Sequence, residues 1–363
     1  MTTTTYGVND AMAVKLWSKK LAVEALKYTA IGPLIGTSAD SIIQRKDELS
    51  KGPGDKVTYG LRTQLQGDGV SEGEVLEGNE ESLTTYSDAV VINELAHAVK
   101  VRNKNRIDQK RVPFDLRDEA KSGLRDWYAK RMSVSAFNQL AGNTAETRVK
   151  YSGLQATLSP SRQIWTSGTA TNDQSLVTTD VFKLKYIDYA VELAKTSSAT
   201  TGPIRPVMIE GEEKYVLYLH PYQVTDLCTD AATAGNWFDI TSKQLQGGRV
   251  KDNPIYTGAL GEYNGVIIRS AFDVPPGCNS GTPTSSVANT RRAVLLGAQA
   301  LMCGFAMDAD ESTFDWVEEL FDYERELGVS AQTMFGMKKT QFNGVDFGVV
   351  TVSSYAAAHT SLS

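Results

Sequence analysis

From Asp55 to Gln66 apolar and polar residues alternate, with Val57, Tyr59, Leu61 and Leu65 on one side and Thr58, Gly60, Arg62 and Gln64 on the other. That period of two predicts a half-buried strand. A second β segment runs from Thr85 to Asn103, and the two flank the tip GDGVSEGEVLEGNEES. No adjacent segment offers this hairpin a surface, and a lone two-stranded ribbon is marginal in water, so it reads as an extended arm reaching for a neighbouring subunit. Its tip holds Asp68, Glu72, Glu74, Glu77, Glu80 and Glu81 without a Lys or Arg. The natural complement is basic, and a basic run follows the arm: Lys100, Arg102, Lys104, Arg106, Lys110 and Arg111. Local evidence leaves two outcomes open: electrostatic pairing between subunits, or a solvated acidic loop beside an unrelated basic stretch.

On either side of the arm the period changes to three and four. Before it, Asn9 is placed to cap a helix with Val14, Trp17, Leu21, Ala25 and Tyr28 on its apolar stripe, ending at Gly32-Pro33. A short segment, Ala39 to Leu49, completes what reads as a helical N-terminal arm. After the hairpin, Leu116, Ala120, Leu124, Tyr128, Met132, Ala136 and Leu140 recur every four residues. They predict a helix over 114–141 with Pro113 in its first turn, an Asp126–Lys130 pair on its surface and a stop at Gly142. At about 1.5 Å per residue it makes a rod of roughly 42 Å, long enough to serve as a spine.

The remainder mixes both patterns, which predicts an α+β chain. Residues 143–177 are rich in Ser, Thr and Gly and suit short strands and loops. Thr179 and Asp180 are placed to cap a helix over 181–195 whose apolar residues occupy more than one face, as in a helix sandwiched between other elements. The strand YVLYLH (Tyr215–His220) meets Pro221 and a short helix, a further strand is expected at Val266–Arg269, and PPGCNSGTPTSSVANT reads as a flexible surface loop. Ala293 to Met307, the least polar stretch, is too short to span a bilayer and suits the core of this later unit. The last segment alternates like paired strands, with Asn343-Gly344 as a two-residue hairpin turn.

The chain of 363 residues is 41% hydrophobic and 22% charged, which allows several small cores, and its net charge of -6 argues against wrapping nucleic acid. Cys228, Cys278 and Cys303 are an odd number without close spacing, so neither a disulfide framework nor a zinc cluster is expected, and free thiols fit a reducing cytoplasm. MTTTTYGVND lacks the pattern of a signal peptide. His97, His220 and His359 are too scattered for a metal centre, and His220 at a strand end suits a structural role. There is no G-x-S-x-G elbow and no phosphate-binding glycine loop. The glycines Gly67, Gly69 and Gly73 miss the dinucleotide spacing and sit among acids that repel phosphate. No catalytic residue, cofactor or metal is expected, and an enzyme is the weakest of the function classes.

Taken in order, these elements resemble the major capsid proteins of tailed double-stranded DNA bacteriophages. The stretches VNDAMAVKLWSKKLAVEAL, GDKVTYGLRTQLQGDGVSEGEVLEGNEESL and VPFDLRDEAKSGLRDWYAKRM are similar to the N4-like podovirus branch, as are YVLYLHPYQVTDL and GALGEYNGVIIRSAFDVP to the family's axial domain. The resemblance implies the tailed-phage coat fold: an N-arm over 1–50, an extended loop over 51–103, a peripheral domain over 104–185 with the spine helix, an axial domain over 186–328, and strands over 329–363 returning to the periphery. It implies self-assembly into pentons and hexons of an icosahedral shell, in the host cytoplasm, with scaffolding, portal and decoration proteins as further partners. DNA would be a neighbour by non-specific proximity only, and no membrane partner is implied. Some members open with a cleavable scaffolding segment, whereas this chain opens on the arm helix, so a separate scaffold is expected. Others cross-link a Lys to an Asn between subunits; no such pair can be matched here. An encapsulin-like compartment or another phage structural subunit is the alternative.

Overall fold

Two sheets, with the long helix packed on both, organise the chain in the computed structural model. It describes residues 21, 24–25, 29–46, 55–62, 69–80, 85–102, 107–153, 161–196, 202–209, 211–229, 260–281, 284–306, 314–342 and 344–359. The six-stranded sheet runs in the order Ile35–Gly36, Ile43–Lys46, Leu301–Phe305, Glu326–Lys339 and Asp315–Phe321, and Asn93–Arg102 also pairs with Glu326–Lys339. The seven-stranded sheet runs Gln163–Trp165, Val349–Tyr355, Thr290–Leu296, Glu212–Leu219, Val266–Ser270 and Gly261–Tyr263, with Val207–Ile209 beside Glu212–Leu219.

The spine helix spans Leu116–Leu140. It begins later than expected because Asp115 caps it, accepting from the Arg117 amide at 2.9 Å, so Pro113 lies outside its first turn. Ala120, Leu124, Tyr128, Met132, Ala136 and Leu140 are all buried, as the four-residue spacing requires. The Asp126–Lys130 pair does not form: Asp126 meets Arg125 at 2.8 Å, while Lys130 turns to Asp273. A partner held in place by tertiary packing displaces a local surface pair whose own contribution is only about 0.3–0.5 kcal/mol. At its C-terminal end, Phe137 packs on Tyr218 of the seven-stranded sheet with ring centroids 5.3 Å apart. Near its middle, Tyr128 packs on Phe314 and its hydroxyl donates to the Ala331 carbonyl of the six-stranded sheet.

The N-terminal region is mixed, not helical throughout. Leu21 and Ala25 are buried, and Lys121 and Arg125 of the spine lie within 3.9 and 3.8 Å of Glu24. Asn9, Val14, Trp17 and Tyr28 lie outside the described residues. Ile43–Lys46, expected within a helical segment, is a strand parallel to Leu301–Phe305 that buries Ile42 and Ile43. Sheet pairing overrides weak local helix preference. The helix expected over 181–195 spans Lys185–Lys195, and Asp180 is not its cap; its carboxylate accepts from the Val177 amide in a local turn. That helix buries one face only, with Ile187, Ala190, Val191 and Ala194 against the seven-stranded sheet and Tyr189 exposed. Glu212–Leu219 is followed by the helix Pro221–Thr229, and the strand Val266–Ser270 stands where one was expected.

Two later expectations change more. The apolar stretch 293–307 serves both sheets: Thr290–Leu296 lies in one and Leu301–Phe305 in the other, with Gln299 at φ 53 in the crossing. The segment read as a flexible loop is folded at both ends, where Gly277–Cys278 pairs with Ser286–Val287 and Cys278 is buried. The final strands divide as well, because Glu326–Lys339 belongs to the six-stranded sheet and Val349–Tyr355 to the seven-stranded one. Between them Gln341–Phe342 pairs with Val345–Asp346 across residues 343–344, and Gly344 has a φ of 76, as an Asn-Gly hairpin turn demands.

A buried charge ties helix to sheet. Asp173 accepts from Gln163 and Trp165 at 3.0 Å each, from the Cys278 amide at 2.9 Å and from Arg292 Nε at 2.7 Å. Arg292 Nη1 also donates to the Ala141 and Gly142 carbonyls at 3.0 and 2.8 Å, the orphan acceptors at the end of the spine. Removing one partner leaves an uncompensated buried charge, so Arg292→Ala should cost about 3–5 kcal/mol. Replacing Arg325, whose pair with Asp322 is exposed, should cost no more than about 1 kcal/mol; urea unfolding of the unassembled subunit measures both.

Candidate assembly surfaces

The arm is an antiparallel hairpin of Lys56–Arg62 with Thr85–Val91, in register from Lys56 opposite Val91 to Arg62 opposite Thr85. The expected alternation holds where it is described: Val57, Tyr59 and Leu61 are buried while Thr58 and Gly60 are exposed. The root is not the unsupported ribbon that the flanking sequence suggested. Its apolar face, with Val90, packs on Met302 and against Ile92 and Phe347. Tyr59 donates to Asp88 at 2.9 Å, Lys338 of the six-stranded sheet reaches the same carboxylate at 2.5 Å, and burial first, then Asp88, raises the Tyr59 hydroxyl far above its ordinary value. Gly336 lets the strands meet there, since a Cβ at that position would stand 2.1 Å from the Val91 carbonyl oxygen. The second arm segment breaks at Ile92, beyond which Asn93–Arg102 leaves the hairpin and pairs with Glu326–Lys339.

Residues 69–80 form a knuckle held by its own hydrogen bonds. Glu74 accepts from the Ser71 amide at 2.8 Å and its hydroxyl at 3.2 Å, Glu80 accepts from the Gly78 amide at 2.7 Å, and the Asn79 side chain donates to the Val75 carbonyl at 2.8 Å. Gly69, Gly73 and Gly78 supply its positive φ angles of 72, 96 and 91. Two of the six tip acids therefore build the loop, leaving Glu72 and Glu77 as exposed charge; Asp68 and Glu81 lie outside the described residues. Between them the loop presents what the acid count obscured: Val75 and Leu76 are 67% and 60% exposed.

The described members of the basic run have acidic partners within their own subunit. Lys100 pairs with Glu326, Arg102 lies 3.6 Å from Glu326 and 3.5 Å from Asp108, and Arg111 lies 3.4 Å from Asp108. Lys104, Arg106 and the side chain of Lys110 lie outside the described residues. Among the described residues, none of these cations meets a tip carboxylate within one chain.

An arm rooted in the body, a self-bonded tip, a spine helix and two sheets define a shape that can be compared as a whole. The model of the phage capsid protein family matches residues 5–358. The chain belongs to that family. The capsid of Ralstonia phage GP4 is 30% identical and aligns with a TM-score of 0.77 over 99% of this chain and 100% of its own. The major capsid protein of Pseudomonas phage KPP25 is 28% identical over 370 residues, 94% of each chain. The capsid asymmetric unit of cyanophage Pam1 shares the fold, with a TM-score of 0.66 at 21% identity over 92% of this chain and 93% of its own. The fold is the α+β arrangement of tailed-phage capsid proteins, and the chain is a structural shell protein.

Among the described residues of this capsid protein no three His, Cys, Asp or Glu side chains are grouped to hold a metal, and no helix is long and apolar enough to cross a membrane. Its most hidden charges are structural. Lys339 and Asp346, both fully buried, meet at 3.1 Å, and Gln341 donates to the same carboxylate at 2.9 Å. No spacing rule marks the Asp173–Arg292 pair, whose partners lie 119 residues apart, and Lys339 meets Asp346 only because the hairpin between them folds back. His220 is buried at the strand end, its Nδ1 accepts from the Tyr222 amide at 3.2 Å, and its ring lies against Tyr222 and Phe272.

Two outcomes check this geometry. Glu74→Gln with Glu80→Gln weakens the loop's two amide caps, so the Ser71 and Gly78 amides should exchange hydrogen roughly fivefold faster, the equivalent of about 1 kcal/mol, while Tyr59 and Leu61 at the root stay protected. Burial and then Arg291 push His220 down to about 4, against about 6.5 in an unfolded chain. Between those values the unfolded chain holds a proton that the folded one excludes, so subunit stability falls as pH drops through that window. His220→Gln should flatten that part of a melting-temperature profile.

Proposed function

We propose that the chain is the repeating subunit of an icosahedral phage shell, closing pentons and hexons around double-stranded DNA. What carries this is the family match across nearly the whole chain, together with the full-length likeness to the Ralstonia phage GP4 capsid. The working division is an N-arm over 1–50, an extended loop over 51–103, a peripheral domain over 104–185 and an axial domain over 186–328. Of the C-terminal residues 329–363, the strand Val349–Tyr355 is counted with the sheet in which it pairs. Assembly takes place in the bacterial cytoplasm, with scaffolding and portal proteins supplied separately and DNA held by proximity, as a net charge of -6 favours.

The mechanism is geometric. A rigid body presents an arm whose root is locked by Asp88, Lys338 and the Val57, Tyr59 and Leu61 face, so the tip is carried to a neighbour with little loss of freedom on binding. Closed symmetry repeats each contact, and modest pairwise energies sum over many copies. Purified protein should form closed shells visible by negative-stain electron microscopy, with a yield that falls at high salt as exposed charges are screened. A chain that stays monomeric under every assembly condition would overturn the proposal.

A further inference from the structure

We propose that the side chains of Lys339 and Asp346 condense with each other, forming an amide within one chain and releasing water, so that the folded protein carries out a single covalent reaction on itself. This goes beyond the shell function proposed above and does not depend on it, because both partners belong to the unassembled subunit. Lys339 is the last residue of the strand Glu326–Lys339 in the six-stranded sheet. Asp346 ends the hairpin strand Val345–Asp346, just before Val349–Tyr355 of the seven-stranded sheet. Once formed, the bond staples the chain where it crosses from one sheet to the other.

The two groups are placed for attack. Lys339 Nζ lies 3.1 Å from Oδ1 and 3.1 Å from Oδ2 of Asp346. A nitrogen equidistant from both oxygens stands in the plane that bisects the carboxyl group through Cγ, the carbon it must reach. It is no more than about 3.5 Å from that carbon, the separation of reacting atoms poised to combine, and pairs held this way reach effective concentrations of about 10⁵–10⁸ M. Gln341 donates to Oδ1 at 2.9 Å, which marks Oδ1 as the oxygen that stays and Oδ2 as the one that leaves. Both side chains are fully buried, so bulk water is kept from the carbon and from the amide once made.

Burial also sets the protonation states. It pushes the Lys339 amine down and the Asp346 carboxyl up, and the Arg292 charge pushes the amine down further. Arg162 favours the carboxylate, but burial outweighs it. A proton therefore passes from Nζ to Oδ2 within the pair, leaving a neutral amine beside a carboxylic acid. The amine lone pair attacks Cγ, and negative charge gathers on Oδ1, where the Gln341 amide and the positive field of Arg162 stabilise it. The bond from Cγ to Oδ2 then breaks, and Oδ2 departs as water with a second proton from the nitrogen. One ammonium and one carboxylate become one amide and one water, and nothing is oxidised or reduced. The product replaces two buried charges with a neutral group, which favours it because the attraction between buried ions barely repays their lost hydration.

Mass spectrometry of the folded, unassembled subunit tests this. The intact chain should be lighter than its sequence by one water. Chymotrypsin, which cuts after Phe335, Phe342 and Phe347, severs the backbone between the two residues. The expected product is the peptide Gly336–Phe342 still joined to Asn343–Phe347, with fragmentation placing the junction on Lys339 and Asp346. A chain at its full sequence mass overturns the proposal. So does a water lost elsewhere, as in a succinimide, since the two peptides then separate. Lys339→Gln should restore the full sequence mass and let the peptides part; a junction that survives this change overturns the assignment. The decisive reading is made on the unaltered chain, so it stands whether or not that variant folds.

Discussion

The pairing of Glu326–Lys339 is the constraint on which the rest of the molecule depends. This strand takes Asn93–Arg102, Leu301–Phe305 and Asp315–Phe321 as partners. It also receives the spine through the Tyr128 hydroxyl at Ala331 and the arm through Lys338 at Asp88. At Gly336 it makes room for the Val91 backbone, and at Lys339 it ends in a buried pair with Asp346 that leads into the closing hairpin. Spine, arm and last hairpin thus refer their positions to one strand. A shift of one residue would turn every side chain to the other face, burying Ser330 and Gln332 where Val329 and Ala331 now pack. The register is fixed because no other register satisfies the core.

That arrangement explains how a long hairpin can be both extended and aimed. A free two-stranded ribbon would spend its binding energy on becoming ordered. Here the root is part of the body. The tip is held locally, since Glu74 and Glu80 satisfy backbone amides that would otherwise face water. Acidic residues in such a loop have two separate uses, internal caps and external charge, and of the four described tip acids Glu72 and Glu77 belong to the second.

Periodicity made much of this legible. The alternation around Val57, Tyr59 and Leu61 and the four-residue spacing from Ala120 to Leu140 each predict a buried face that the structure contains, because burial of one face is a local property of strand and helix. What periodicity could not supply is the partner. Ile42 and Ile43 read as part of a helix because the strand that claims them, Leu301–Phe305, lies far along the chain. The arm read as unsupported for the same reason, its floor of Met302 and Phe347 being remote in sequence. Charge counting is limited in a different way. Six acids and six bases invite pairing, but composition does not record that Lys100, Arg102 and Arg111 also meet Glu326 and Asp108 within one chain. The Val75-Leu76 pair was visible in the sequence throughout, yet two apolar residues in an acidic loop signal nothing until their exposure is known.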